Sequence, residues 1–308
     1  ATMSEYDVTL AASDLQRFMP LLKQAIGAQH WLGCCGGGVV GTNTVGKITI
    51  IDMPVWQVVL AQMSGLMIAA FVFGRTLRLD HLLKTKHPGI QIARTLCQFG
   101  AIVCFYHGLP HLRLADITGI MLLLPLAITA LAALMLDEKV GWRRWAACVT
   151  GLIGALLIAR PGMTGAHPGA LWPFATVVLF AMYTVLTRKI SSDEGAPNQI
   201  AWAALATVAV LGAASPAYWV APSGATWVAL GAIALMSGIA NSARIKALAM
   251  APASLLAPFG YTQIVTATLV GLIVFDDLPD AYSFAGIAII VLSGLYVWHR
   301  ERVRGTTS

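Results

Sequence analysis

The stretch Gln98–Pro161, QFGAIVCFYHGLPHLRLADITGIMLLLPLAITALAALMLDEKVGWRRWAACVTGLIGALLIARP, decides the fold. It holds three apolar blocks, separated by the short link His111-Leu112-Arg113 and by a charged link that begins at Asp137. The pattern returns later in the chain. With Asp137-Glu138 laid over Asp276-Asp277, Gly100–Arg160 falls on Ile239–His299, and one residue of slack brings Gly154 onto Gly294. Few letters match; block length, hydropathy and punctuation do. An internal repeat constrains architecture more strongly than local propensity does.

Composition assigns the solvent. Of the 308 residues, 57% are hydrophobic and 11% charged, whereas about a quarter of a soluble domain is charged. Such a chain cannot cover a water-facing surface and is expected in a bilayer. The net charge of +6 does not indicate nucleic acid, because the Lys and Arg residues fall in short links instead of forming one face. Cys34, Cys35, Cys97, Cys104 and Cys148 lie within apolar runs without paired ligand spacing. They read as small apolar side chains, and neither a metal nor another cofactor is expected.

From Trp31 onward the apolar blocks lie at about 31–51, 55–74, 90–110, 115–136, 145–159, 170–187, 199–219, 225–243, 252–275 and 281–298. Most have the length a helix needs to cross the hydrocarbon core, about 20 residues. They lack the period-two alternation of barrel strands, so helices are expected. If the links alternate sides, one side collects Arg75, Arg78, Lys84, Lys86, Lys139, Arg143, Arg144, Arg188, Lys189, Arg244, Lys246 and the tail arginines. The other side receives Arg113, Arg160 and, near the end of the first block, Lys47. The first side is therefore cytoplasmic, with both termini inside. Five spans per half is an odd number, so the second half enters from the opposite face. The expected fold is all-α and integral to the membrane, ten transmembrane helices in two inverted five-helix repeats. Residues 30–161 and 162–300 form the halves, 1–29 a cytoplasmic segment or leader, and 301–308 a cytoplasmic tail. Inverted halves are the signature of alternating-access transport, with a site near the midplane where they meet.

The string Leu112–Pro161 carries a family resemblance. Its A-D at 115–116, L-L-P at 123–125, L-D-E-K-V-G-W-R-R-W at 136–145 and closing G-L-I-G-A-L-L-I-A-R-P resemble the EamA domain of the drug/metabolite transporter superfamily. P-A-S-L-L-A-P-F-G-Y-T-Q from Pro252, F-D-D-L-P from Phe275 and G-I-A-I-I-V-L-S-G-L-Y from Gly286 resemble the same domain again. The resemblance covers about residues 31 to 300. It implies a ten-helix permease of a bacterial inner membrane with gates around a central cavity. YddG-type amino-acid exporters and riboflavin importers are two branches with this layout; the Gly-rich first block and longer N-terminal segment depart from the usual pattern.

Polar side chains at mid-depth face a partner helix or water. The candidates for substrate contact are Asn43, Gln62, Gln98, Asn241, Tyr261 and Gln263, with Tyr106 and His107 nearer the end of the third block. For each amide, ordinary interhelical bonding competes with substrate binding. Trp172, Phe180 and Tyr183 offer rings for a heterocycle, although Trp172 also suits the lipid interface. Pro125 and Pro258, the latter followed by Phe259-Gly260, interrupt corresponding spans, where a freed carbonyl points to a cavity or a packing kink. Gly33, Gly37 and Gly41 repeat as G-x-x-x-G, a surface for close helix approach or for gate sliding; Ala147, Gly151 and Ala155 form a second such stripe.

The acidic residues fall in the N-terminal segment, in links or at span ends, so coupling through a buried carboxylate is not expected. His107 is the intramembrane group that titrates near neutral pH, and passive or exchange transport is the expectation. No H-E-x-x-H, G-x-S-x-G or Walker string occurs, so protease, hydrolase and ATPase chemistry lack their minimum residues, and no ATPase subunit is required. The functional expectation is a secondary transporter of small organic metabolites, with amino-acid export first and import of riboflavin or another heterocycle second. A membrane-embedded lipid-modifying enzyme is the reading from another class, and it lacks clustered ionisable groups.

Overall fold

In a computed structural model the chain is described at residues 35–73, 85–135, 141–160, 171–190, 196–250 and 262–305, together with Gly33 and Gly169. The segment 1–29, the charged cluster Asp137-Glu138-Lys139, and Pro258, Gly260 and Tyr261 lie outside these residues. Every element among them is helical. The helices are α1 (35–49), α2 (Val55–Phe73), α3 (Pro88–Gly108), α4 (Leu114–Met121), α5 (Leu124–Met135) and α6 (Trp142–Ala159), then α7 (Leu171–Lys189), α8 (Ala196–Ala214), α9 (Gly224–Met250), α10 (Thr262–Phe275) and α11 (Ala281–Gly305). Among the described residues, five stretches are long and apolar enough to cross a membrane: Leu114–Met135, Trp142–Ala159, Leu171–Lys189, Gly224–Ala243 and Ala281–His299. Shorter apolar helices, α1 and α3 complete the ten-span, all-α membrane architecture.

Local chemistry sets the helix ends. Pro88 opens α3, where its missing N–H costs nothing and its fixed φ suits the first turn. Pro125 splits the fourth span into α4 and α5, since its ring would clash with the carbonyl one turn back. The break is bridged by Leu122, whose N–H reaches the Thr118 and Gly119 carbonyls at 3.2 and 3.1 Å. Hydroxyls within spans donate to carbonyls one turn earlier, as Thr44 does to Val40 and Thr118 to Leu114, so they add no unsatisfied group in lipid.

The outer surface is apolar, with Ile51, Leu134, Val228 and Ile273 each more than two-thirds exposed, as suits side chains facing acyl tails. Among the described residues, two buried clusters lie within. One gathers Val40, Met63, Leu66, Tyr106 and Ile233 between α1, α2, α3 and α9; the other gathers Ile120, Leu126, Ile158 and Ile290 between α4, α5, α6 and α11.

Helix pairing follows the repeat. If the halves are related by exchange of α1 with α7, α2 with α8, α3 with α9, α4–α5 with α10 and α6 with α11, then α6–α11, α2–α8 and α4–α10 should each pair with a repeat mate, and all three do. The long seam of α3 against α7 maps onto α9 against α1, where a Cβ on Gly38 or Gly41 would reach Ala240 or Met236 at 3.0 Å. The symmetry is not exact: α2 packs along α9 over a long seam, whereas its mate, α8 against α3, touches briefly.

Glycine carries the tightest crossings. A Cβ on Gly65 would fall 1.9 Å from the Ala234 carbonyl oxygen. At α6–α11, a Cβ on Gly154 or Gly286 would come within 3 Å of the other's carbonyl oxygen. The stripe Ala147, Gly151 and Ala155 is buried here, with Gly151 facing Leu123, Leu126 and Ser293. In α1 the expected stripe meets a neighbouring helix at Gly41. Gly33 and Gly37 face nothing within 4 Å among the described residues, while Gly36, Gly38 and Gly41 face Gln263, Ala240 and Met236. Consecutive glycines leave the approach face undecided in the sequence, and the neighbouring helices select it.

Candidate functional site

Two of the sequence candidates meet directly. The Tyr106 hydroxyl, on the last turn of α3, donates to Gln62 Oε1 of α2 at 2.9 Å. Tyr106 is 1% exposed. Its ring fills the place a side chain at Gly46 would take, since a Cβ there would lie 2.6 Å from Tyr106 Cε1. Ser237 of α9 donates to the Gln62 carbonyl at 3.0 Å. One node thus ties α1, α2, α3 and α9.

A second polar group lies along the α3–α7 seam. Gln91, Arg94, Thr95 and Gln98 share one buried face of α3, as spacings of three and four residues dictate. Arg94 is fully buried; among its contacts are Gln91 Oε1 at 2.9 Å and the Tyr183 ring of α7, 5.3 Å from the guanidinium carbon to the ring centroid. Gln98 Oε1 and Thr187 Oγ1 are buried with no hydrogen-bond partner among the described residues. Arg94 escaped the sequence reading, although a cation seven residues into an apolar helix was the signal. Intramembrane arginines are expensive and face a partner or a cavity.

The remaining candidates scatter. His107 Nδ1 lies 2.8 Å from the Val103 carbonyl, and its ring is 5.4 Å from that of Trp172, which places it on the α7 side of α3, away from Gln62. Asn43 is half-buried on α1, and Gln263 sits on α10 against Gly36. Asn241 Nδ2 on α9 is buried without a partner among the described residues. Pro125 is exposed at the start of α5.

One end of the bundle is closed by charge. Arg113 pairs with Asp277 at 2.9 Å and lies 3.8 Å from Asp280, and Arg160 bonds Asp280 as well. Asp280 also accepts from the Ser283 N–H at 2.9 Å, capping α11. Arg160 ends α6 at φ 45°, in the left-handed region. Its hydrogen bond holds the Asp280 carboxyl well below the usual carboxylate range, and Asp280 raises Arg160 in turn. Lys47 donates to the Leu112 carbonyl at 2.9 Å and sits 5.0 Å from the Phe275 ring centroid. Asp116, placed by the sequence at a span end, is 6% exposed in the first turn of α4. These contacts join the loops of the first half to the 276–280 link of the second.

Helical halves that pair as inverted copies, with buried polar groups on their seams, suit a permease. Residues 31–160 match the model of the EamA-like transporter family. That stretch is an EamA-like domain of a multi-pass membrane transporter. The chain is similar to a riboflavin transporter of Vibrio cholerae serotype O1, 28% identical over 89% of this chain and 94% of the relative. An S-adenosylmethionine uptake transporter of Rickettsia felis is 26% identical over 78% of this chain and 80% of the relative. A riboflavin transporter of Brucella anthropi is 26% identical over 85% and 91%. A solved crystal structure aligns with 90% of this chain and 99% of its own, with TM-score 0.59 and 19% identity, a likeness of fold alone.

Proposed function

We propose that this EamA transporter takes up an organic metabolite that joins a heterocycle to a carboxylate, of the S-adenosylmethionine type. On this reading the halves 30–161 and 162–300 alternate access by secondary transport across a bacterial inner membrane, with both termini cytoplasmic. The observation that carries the reading is Arg94 beside Tyr183, flanked by Gln91 and Gln98 on the α3–α7 seam. A guanidinium offers a carboxylate two parallel donors, and a phenol ring offers a flat partner for a heterocycle. The relatives named for S-adenosylmethionine uptake support this choice. Amino-acid export, the first expectation from sequence, gains no support from relatives named for S-adenosylmethionine and riboflavin.

Riboflavin is the second reading, favoured by the relative aligned over 89% of this chain. It carries a flat ring and no carboxylate. Uptake of radiolabelled S-adenosylmethionine and riboflavin into proteoliposomes separates the two. The expected result is S-adenosylmethionine uptake that R94Q lowers by at least about tenfold, the scale of truncating one member of a buried charge pair, and that R94K restores in part. Riboflavin uptake unaffected by R94Q, without S-adenosylmethionine uptake, would establish the second reading instead.

A further inference from the structure

Beyond the α6–α11 crossing at Gly154 and Gly286, towards the start of α6, the two helices leave a cleft. Trp142, Arg143, Ala146, Ala147 and Thr150 line one wall; Ile289, Leu292, Ser293 and Tyr296 line the other. Ala147 and Ser293 are buried, whereas Trp142 is 74% and Leu292 66% exposed, so the cleft has a closed floor and opens towards lipid. From Tyr296 to Ile289 it runs seven residues, about 10 Å of helix, enough to seat the upper part of an acyl chain. At its mouth the exposed Arg143 guanidinium lies 5.2 Å from the Trp142 ring centroid. Trp142 and Tyr296 have the amphipathic rings that settle at headgroup level. Arg144 follows Arg143 at the start of α6. A cleft that is apolar along its length and cationic only at the membrane surface is complementary to an anionic amphiphile lying along the helix axis, and basic pockets between membrane helices hold such headgroups.

We propose that this cleft binds an anionic glycerophospholipid, its phosphate at Arg143 and one acyl chain between Thr150 and Leu292. The site lies apart from the polar seam and does not depend on the transported solute. The full-length protein in detergent is mixed with equal amounts of phosphatidylglycerol and phosphatidylcholine, and bound lipid is read by native mass spectrometry. Wild type should prefer phosphatidylglycerol by about fivefold, the scale of one basic residue at an anionic surface. R143K should keep that preference, R143Q should lose it, and T150W, which fills the cleft from an exposed position, should lower binding of both lipids. Equal retention of the two lipids by wild type, or an undiminished preference in R143Q, would overturn the proposal. A dimer in light scattering that T150W dissolves, without any lipid preference, would assign the cleft to a second copy of the chain and overturn it equally.

Discussion

Gly65 of α2 and Ala234 of α9 meet main chain to main chain, so closely that any side chain at 65 would overlap the Ala234 carbonyl. Gly65→Ala should therefore force the helices apart and lower stability by about 3 kcal/mol or more, the upper range for overpacking. Gly37→Ala, with nothing within 4 Å among the described residues, should be neutral or slightly stabilising through helix propensity. Thermal unfolding of both variants in detergent checks the contrast, and similar losses would contradict the packing.

Removing the Tyr106 hydroxyl leaves Gln62 Oε1 without that donor. Y106F should cost about 1 kcal/mol, within the measured range for interhelical bonds in membranes. Y106A should cost several times more, because it also empties the space against Gly46. Because the node ties four helices, Y106F should also change uptake rate. A Y106F protein with wild-type melting and wild-type uptake would leave the bond without a role.

Gln98 separates folding from function. Its buried Oε1 lacks a partner among the described residues, a state that costs about 1–3 kcal/mol. Gln98→Leu should leave melting unchanged or raise it, yet reduce solute uptake severalfold if the amide serves the substrate. Falling stability with uptake per folded molecule preserved would make Gln98 a packing residue.

The Arg160–Asp280 contact predicts a pH dependence with a definite sign. Asp280's carboxyl is held low in the folded protein by Arg160, so the contact's contribution is complete above the unfolded aspartate value of about 3.9. It is lost as pH falls through the lower folded value. The melting gap between wild type and R160Q should stay constant from about pH 8 to 5 and narrow below about pH 4. The Asp280 side chain is 38% exposed, so the gap should be modest and shrink with added salt. A gap that widens on acidification would contradict this assignment.

The spans were legible because hydropathy and length are one-dimensional: Val55–Phe73 and Ala281–Gly305 start within a residue of their apolar blocks. The inverted pairing followed from an odd count of spans. The site was legible only in part. Tyr106 and Gln62 were both nominated, but their bond depends on how α2 and α3 rotate, which no local pattern states. Arg94 is legible as a cation within an apolar helix, but its buried place beside Tyr183 depends on how α3 and α7 pack. Of the glycines at 33, 37 and 41, Gly41 packs against Met236, while Gly33 and Gly37 face nothing within 4 Å among the described residues. Neighbouring helices set helix rotation here, as they do for Tyr106 and Gln62. Asp116 sits where the sequence placed it, but its burial follows from the packing of α4 against α6, α7, α10 and α11.

The unequal seams have a mechanical consequence. On the alternating-access reading, copies that swap roles would turn the snug α2–α9 joint into the slack one and draw α8 onto α3. Gly65, lacking a side chain to interlock, lets that joint part without unthreading. A covalent staple between α2 and α9 that keeps Gly65 itself would then hold the protein in its present posture and abolish counterflow.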